Sequence, residues 1–198
     1  MPIIAPGMRI GLLGGTFNPP HEAHRLVSLF AWKRLALDRI WWLVSPGNPL
    51  KDTTRLPPLA GRLARAQSAA ASPLIDVTAI EAGFGTRFTH DTLARLTDHF
   101  SAVRFVWLMG ADILAEFHRW RRWRDLARLV PMAVIDRPGW TLPALASPAA
   151  TALARSRIDE ADAPILPGCE PPAWTFLHGI RSPLSSTALR AGRSPNEG

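Results

Sequence analysis

His21 and His24 are the residues whose type and spacing most directly suggest chemistry. They follow Gly14-Gly15-Thr16-Phe17-Asn18-Pro19-Pro20, and beyond them Leu26, Val27, Leu29, Phe30 and Leu35 recur at helical spacing. Two histidines three apart at a helix start project from nearly the same face. The run in front, residues 9–14, is apolar and ends in glycines, the pattern of a buried strand entering a tight turn. Strand, glycine turn and helix start together bring backbone N–H groups to the positive end of a helix, where anions bind. The chemistry that fits is capture of a polyphosphate, with both imidazoles donating to it.

Other readings of the same residues fail on spacing. Gly11-Leu12-Leu13-Gly14-Gly15 is not G-x-G-x-x-G, and no G-x-x-x-x-G-K-[ST] occurs, which removes the standard dinucleotide fingerprint and the P-loop. His21-Glu22-Ala23-His24 is one residue short of the zinc-protease H-E-x-x-H, and no metal ligands are assigned. Cys169 is the single cysteine, so neither an internal disulfide nor a cysteine-based zinc site can form.

The elements that must hold these groups alternate regularly. Apolar runs at 9–14, 39–44, 74–78, 103–109, 129–135 and 174–178 read as strands. Helical patterns lie between or after them at 22–37, 57–71, 89–100, 112–126 and 186–191. Such alternation predicts an α/β fold: a Rossmann-like, doubly wound parallel sheet with helices on both faces. The Pro- and Ala-rich stretch 141–172 reads as loops around one short helix near 149–155.

At 198 residues the chain fits one domain, 1–198, and its composition of 47% hydrophobic and 20% charged residues is globular. The net charge of +7 is carried almost wholly by arginine, Lys33 and Lys51 being the only lysines, which suits phosphate ligands. The basic run Arg119-Trp120-Arg121-Arg122-Trp123-Arg124 fits a solvated helix face better than a nucleic-acid stripe, and no nucleic-acid partner is expected. Without a signal-like start or an apolar stretch of about 20 residues, the default is a cytoplasmic protein with no membrane partner. Self-association is left open.

The residues 14–24 resemble the G-G-T-F-D-P-x-H-x-G-H signature of the nucleotidyltransferase superfamily, with Asn18 and Ala23 in place of Asp and Gly. Ser185-Ser186-Thr187-Ala188-Leu189-Arg190 resembles its distal [IL]-S-S-T-x-[IL]-R motif. Between them, Pro46-Gly47-Asn48-Pro49-Leu50-Lys51, Arg87-Phe88-Thr89-His90-Asp91-Thr92-Leu93, Gly110-Ala111-Asp112 with Phe117, Trp120 and Trp123, and Arg137-Pro138-Gly139 are similar to landmarks of bacterial nicotinate-nucleotide adenylyltransferases. Phe88 stands where those landmarks have Tyr.

The resemblance implies attack by the phosphate of nicotinate mononucleotide on the α-phosphorus of ATP. It assigns His21, His24 and Arg190 to catalysis. Gly14, Gly15, Thr16, Phe17, Asn18, Lys51, Gly110, Asp112, Ser185, Ser186 and Thr187 would bind ATP, and Thr89, Trp120 and Arg137 the mononucleotide. Magnesium would accompany ATP. Asp112 equally reads as a helix N-cap, Trp120 as core cover, and Arg137 as the start of a proline turn. Pantetheine-phosphate or nicotinamide-mononucleotide adenylyl transfer are the enzymatic alternatives, and an inactive nucleotide-binding module is the alternative of another class.

Overall fold

A computed structural model of the chain describes residues 2–47 and 56–179. Six strands form its sheet: β1 (Arg9–Gly15), β2 (Arg39–Val44), β3 (Ile75–Thr78), β4 (Arg104–Gly110), β5 (Met132–Ile135) and β6 (Trp174–Leu177). They lie in the order β3-β2-β1-β4-β5-β6, and every pairing is parallel. The chain builds outward from β1 in one direction, then crosses to β4 and builds in the other. The junction of β1 with β4 is therefore the topological switch point, where α/β proteins form a crevice beyond the strands' carboxyl ends.

Both sheet faces are covered, which is why the strands read as continuous apolar runs. Alternate residues feed two cores: Ile10, Leu12, Trp41, Leu43, Phe105, Trp107 and Met109 pack on one face, and Leu13, Ile40, Trp42, Val44, Val106 and Leu108 on the other. The second face is covered by α1 (Glu22–Arg34), α2 (Leu59–Ala70) and a 3-10 segment, Glu160–Gly168. The first is covered largely by α3 (Ile80–Phe84), α4 (Thr89–His99), α5 (Ala111–Glu116), α6 (Trp123–Leu126), α7 (Thr141–Leu145) and α8 (Pro148–Ala152). Among the described residues no helix is long and apolar enough to cross a membrane.

Four expectations about the elements need correction. Helix α1 stops at Arg34 because Ala36 turns into the left-handed region at φ 49°. The helix expected over 112–126 is broken: after α5 comes a 3-10 turn, Phe117–Arg119, then Trp120 is extended and Arg122 left-handed at φ 54°. Phe117 and Trp123 are driven into the core while Trp120 stays half-buried, and one straight helix could not point the three rings in these directions. The strand expected from 129 starts at Met132, after Pro131, which has no N–H to donate to a ladder. Finally, 141–172 holds two short helices and 3-10 segments rather than one helix. Ser147 caps α8 by accepting from the Ala150 N–H at 3.2 Å, with Pro148 in its first turn. The short α3 was not expected; Gly85, at φ 64°, ends it.

Candidate active site

The loop from β1 to α1 crosses the switch point carrying both histidines. His21 is extended and immediately precedes α1, and His24 lies in the first turn. The His21 N–H donates to His24 Nδ1 at 3.3 Å, and the His24 N–H to the His21 carbonyl at 3.0 Å. The rings lie 3.9 Å apart, centroid to centroid. Because Nδ1 of His24 accepts a hydrogen bond, its neutral ring carries the proton on Nε2.

An aromatic cage fixes that ring. Phe17 meets His24 at 4.8 Å and stacks on Trp42 at 4.9 Å. Trp42 Nε1 donates to Ser28 Oγ at 2.7 Å, which donates to the His24 carbonyl at 2.8 Å. Burial, with Arg137 adding repulsion, lowers the His21 pKa to about 4. Burial lowers His24 further, to about 3, with His21 and Arg137 contributing repulsion. Both imidazoles are neutral N–H donors at pH 7, and neither is a cation awaiting a phosphate.

Arg137, just past β5, lies near enough for its charge to act on both histidines and pairs with a residue beyond the end of β4. Its Nη1 donates to Asp112 Oδ2 at 3.2 Å, while Asp112 Oδ1 is buried with no hydrogen-bond partner among the described residues. Gly110 makes room for the pair, since a Cβ there would collide with Asp112 Oδ1 and crowd Arg137 Nε. Asp112 is not the helix N-cap: that position is Gly110, and Asp112 lies within the first turn of α5. Asp136 sets the Arg137 turn, accepting from the Arg137 N–H at 2.9 Å and the Thr141 hydroxyl at 2.7 Å.

Trp120 approaches from the first face. It meets Trp107 edge-on at 6.3 Å and Phe117 at 5.5 Å. Trp107 in turn fills the space beside Gly14, where a Cβ would lie 2.5 Å from the corner of its ring. Thr89 opens α4, and Arg121 stacks over the neighbouring Phe88 at 4.5 Å, which brings this helix start to the Trp120 segment. The fold thus gathers Gly14 to Asn18, His21, His24, Gly110, Asp112 and Arg137 at one end of the sheet, with Trp120 and Thr89 on its flank. Lys51, Ser185, Ser186, Thr187 and Arg190 lie outside the described residues.

Sequence patterns missed Ser28, Trp42, Asp136 and Arg62. The first three are ordinary core or turn positions until their hydrogen bonds are seen. Arg62 did carry a signal: it shares a stripe of spacing four with Ala66 and Ala70, the buried face of α2.

The sequence model of the cytidylyltransferase-like family matches residues 12–192, which include both histidines and the distal Ser-Ser-Thr motif. The chain belongs to this family. As a cytidylyltransferase-like protein it is a nucleotidyltransferase, and its relatives narrow the group. It is 58% identical over 183 residues to a probable nicotinate-nucleotide adenylyltransferase of Bradyrhizobium sp. strain BTAi1, covering 92% of this chain and 95% of that one. A protein of the same name from Rhizobium johnstonii is 52% identical over 197 residues, covering 100% of this chain and 99% of that one. The cytidylyltransferase-like fold is also that of a Plasmodium falciparum nicotinic acid mononucleotide adenylyltransferase complexed with NaAD. The TM-score is 0.71 at 16% identity, over 96% of this chain and 86% of that one.

Proposed function

We propose that the chain is a single-domain, cytoplasmic nicotinate-nucleotide adenylyltransferase. It transfers the adenylyl group of ATP to nicotinate mononucleotide, giving nicotinate adenine dinucleotide and pyrophosphate. The observation that carries this reading is the paired neutral imidazoles at the switch point, held at a helix start beside the Asp112-bound Arg137. Relatives at 52–58% identity bearing the adenylyltransferase name support the choice of acceptor.

The chemistry asks little acid–base work of the protein. A mononucleotide phosphate oxygen, already ionised, attacks the α-phosphorus, the α–β bridging bond breaks, and pyrophosphate departs with the electron pair. No proton must be removed from the nucleophile, so catalysis is positioning plus stabilisation of charge on phosphate oxygens. His24, with its proton on Nε2, donates to the α-phosphate, and His21 to the adjoining phosphates. The loop backbone from Gly14 to Asn18 cradles the triphosphate at the start of α1. Arg137 supplies fixed positive charge, and the free Oδ1 of Asp112 accepts from a ribose hydroxyl.

Trp120 stacks on the pyridine ring, with Thr89 at its carboxylate. Gly110 borders the nucleoside, while Lys51, Ser185, Ser186, Thr187 and Arg190 complete phosphate binding, as the resemblance implies. Magnesium would enter with the substrate as its ATP complex and offset phosphate charge there. The test is pyrophosphate release at matched ATP with nicotinate mononucleotide, nicotinamide mononucleotide or phosphopantetheine as acceptor. Fastest release with the first is expected, and none with the first overturns the reading.

A further inference from the structure

We propose that Arg62 is a positioning residue for adenylyl transfer: it locks the chain leaving β1 to the chain leaving β2, in the arrangement that presents His21 and His24. This rests on the reading of those histidines as phosphate donors. Arg62 is only 1% exposed, yet it lies on the inner face of α2, where its stripe neighbours Ala66 and Ala70 are small enough to leave it room.

Its guanidinium makes four hydrogen bonds to backbone carbonyls of three separate segments. Nη1 donates to Thr16 at 2.8 Å and to Ser45 at 2.7 Å. Nη2 donates to Pro46 at 3.0 Å and Nε to Pro57 at 2.9 Å. These acceptors are neutral, so the buried charge is held without an ion pair among the described residues, and burial, with repulsion from Arg65, lowers its pKa. A charge buried on neutral carbonyls is a poor source of stability compared with a well-packed apolar side chain. What an arginine supplies instead is a rigid planar fork of five donors, able to brace several carbonyls at fixed angles.

The braced segments are the ones the site depends on. Thr16 precedes Phe17, a bulky residue held left-handed at φ 47°, whose ring is one wall of the His24 cage. Such a backbone persists only where its surroundings hold it. Ser45 is already tied to β1, its N–H donating to the Gly15 carbonyl at 2.9 Å, and Arg62 closes the same junction from the α2 side. Arg62 is buried with its guanidinium committed to backbone carbonyls, so it acts through the loop and not on the phosphates directly.

Arg62→Lys and Arg62→Gln test this. A lysine keeps the charge, but one ammonium cannot span three segments; a glutamine keeps two donors without charge. Each folded variant, assayed with ATP and nicotinate mononucleotide well below its Tm, should lose about 10- to 100-fold in kcat with a smaller change in KM for ATP. By NMR, the His24 ring should titrate higher than in the wild type, toward its ordinary value of about 6.5, because a loosened loop admits water to the cage. The titration needs no substrate, so it judges Arg62 even if the wild type proves inactive toward nicotinate mononucleotide. Wild-type kcat in either folded variant overturns the proposal. So does an activity loss matching the unfolded fraction with the His24 titration unmoved, or failure of both variants to fold, either of which makes Arg62 a structural brace alone.

Discussion

The backbone N–H of His21 is bonded to the ring nitrogen Nδ1 of His24 across 3.3 Å, so one histidine sets the tautomer of the other. The proton of His24 is thereby directed to Nε2. Burial keeps both rings neutral, with pKa values of about 4 for His21 and about 3 for His24. The role proposed for His24 is that of a neutral donor to charge that develops in the transition state.

His24→Ala should therefore lower kcat by about 100- to 1,000-fold, the usual loss of one transition-state donor at about 2.7–4 kcal/mol. ATP affinity measured by titration calorimetry should weaken only several-fold. Turnover near that of the wild type would take His24 out of the reaction.

Gly14→Ala should destabilise the fold by about 1–3 kcal/mol, the range for overpacking a filled core. The new methyl would lie 2.5 Å from the ring corner of Trp107, a large side chain only 3% exposed. Adding Trp107→Phe should recover most of the loss, so a double-mutant cycle by urea denaturation should show strong coupling. Additive effects would mean that the two positions do not compete for space.

Glu81, at the start of α3, gives a pH-dependent prediction. It is 7% exposed, and burial raises its pKa to about 7, a rise that a hydrogen bond from Thr92 only partly offsets. A raised acid pKa means that the folded state holds its proton more tightly than the unfolded chain. The associated stability is complete below the ordinary value near 4.5 and is lost as pH rises through about 7. Glu81→Gln cannot ionise, so between pH 4.5 and pH 8 it should gain ~2–4 kcal/mol on the wild type, at about 1.4 kcal/mol per pKa unit. Unfolding free energies of the two proteins that run parallel across this range would contradict a buried, proton-holding Glu81.

The six strands could be read from the chain because a parallel sheet covered on both faces needs unbroken apolar runs, and Arg39–Val44 or Arg104–Gly110 have no other use for them. The break at Trp120 could not be read. Phe117, Trp120 and Trp123 are spaced as on one helix face, and only the directions in which the core accepts their rings stop the helix. In the same way, Thr141–Leu145 and Pro148–Ala152 are too short and too rich in proline to show a period, and packing of Ala144, Ala149 and Ala150 makes them helices.

By itself the sequence determined the glycine turn after the first strand, the paired histidines at a helix start, the α/β order and the family, because glycines, histidine spacing and strand patterns are local properties of the chain. Only the tertiary structure decided which nitrogen of His24 carries the proton, that Arg137 lies near the histidines and clasps Asp112, and that Arg62 braces the turn from beneath. Those are relations between residues tens of positions apart, set by how strands and helices pack at the switch point, and no local pattern encodes them.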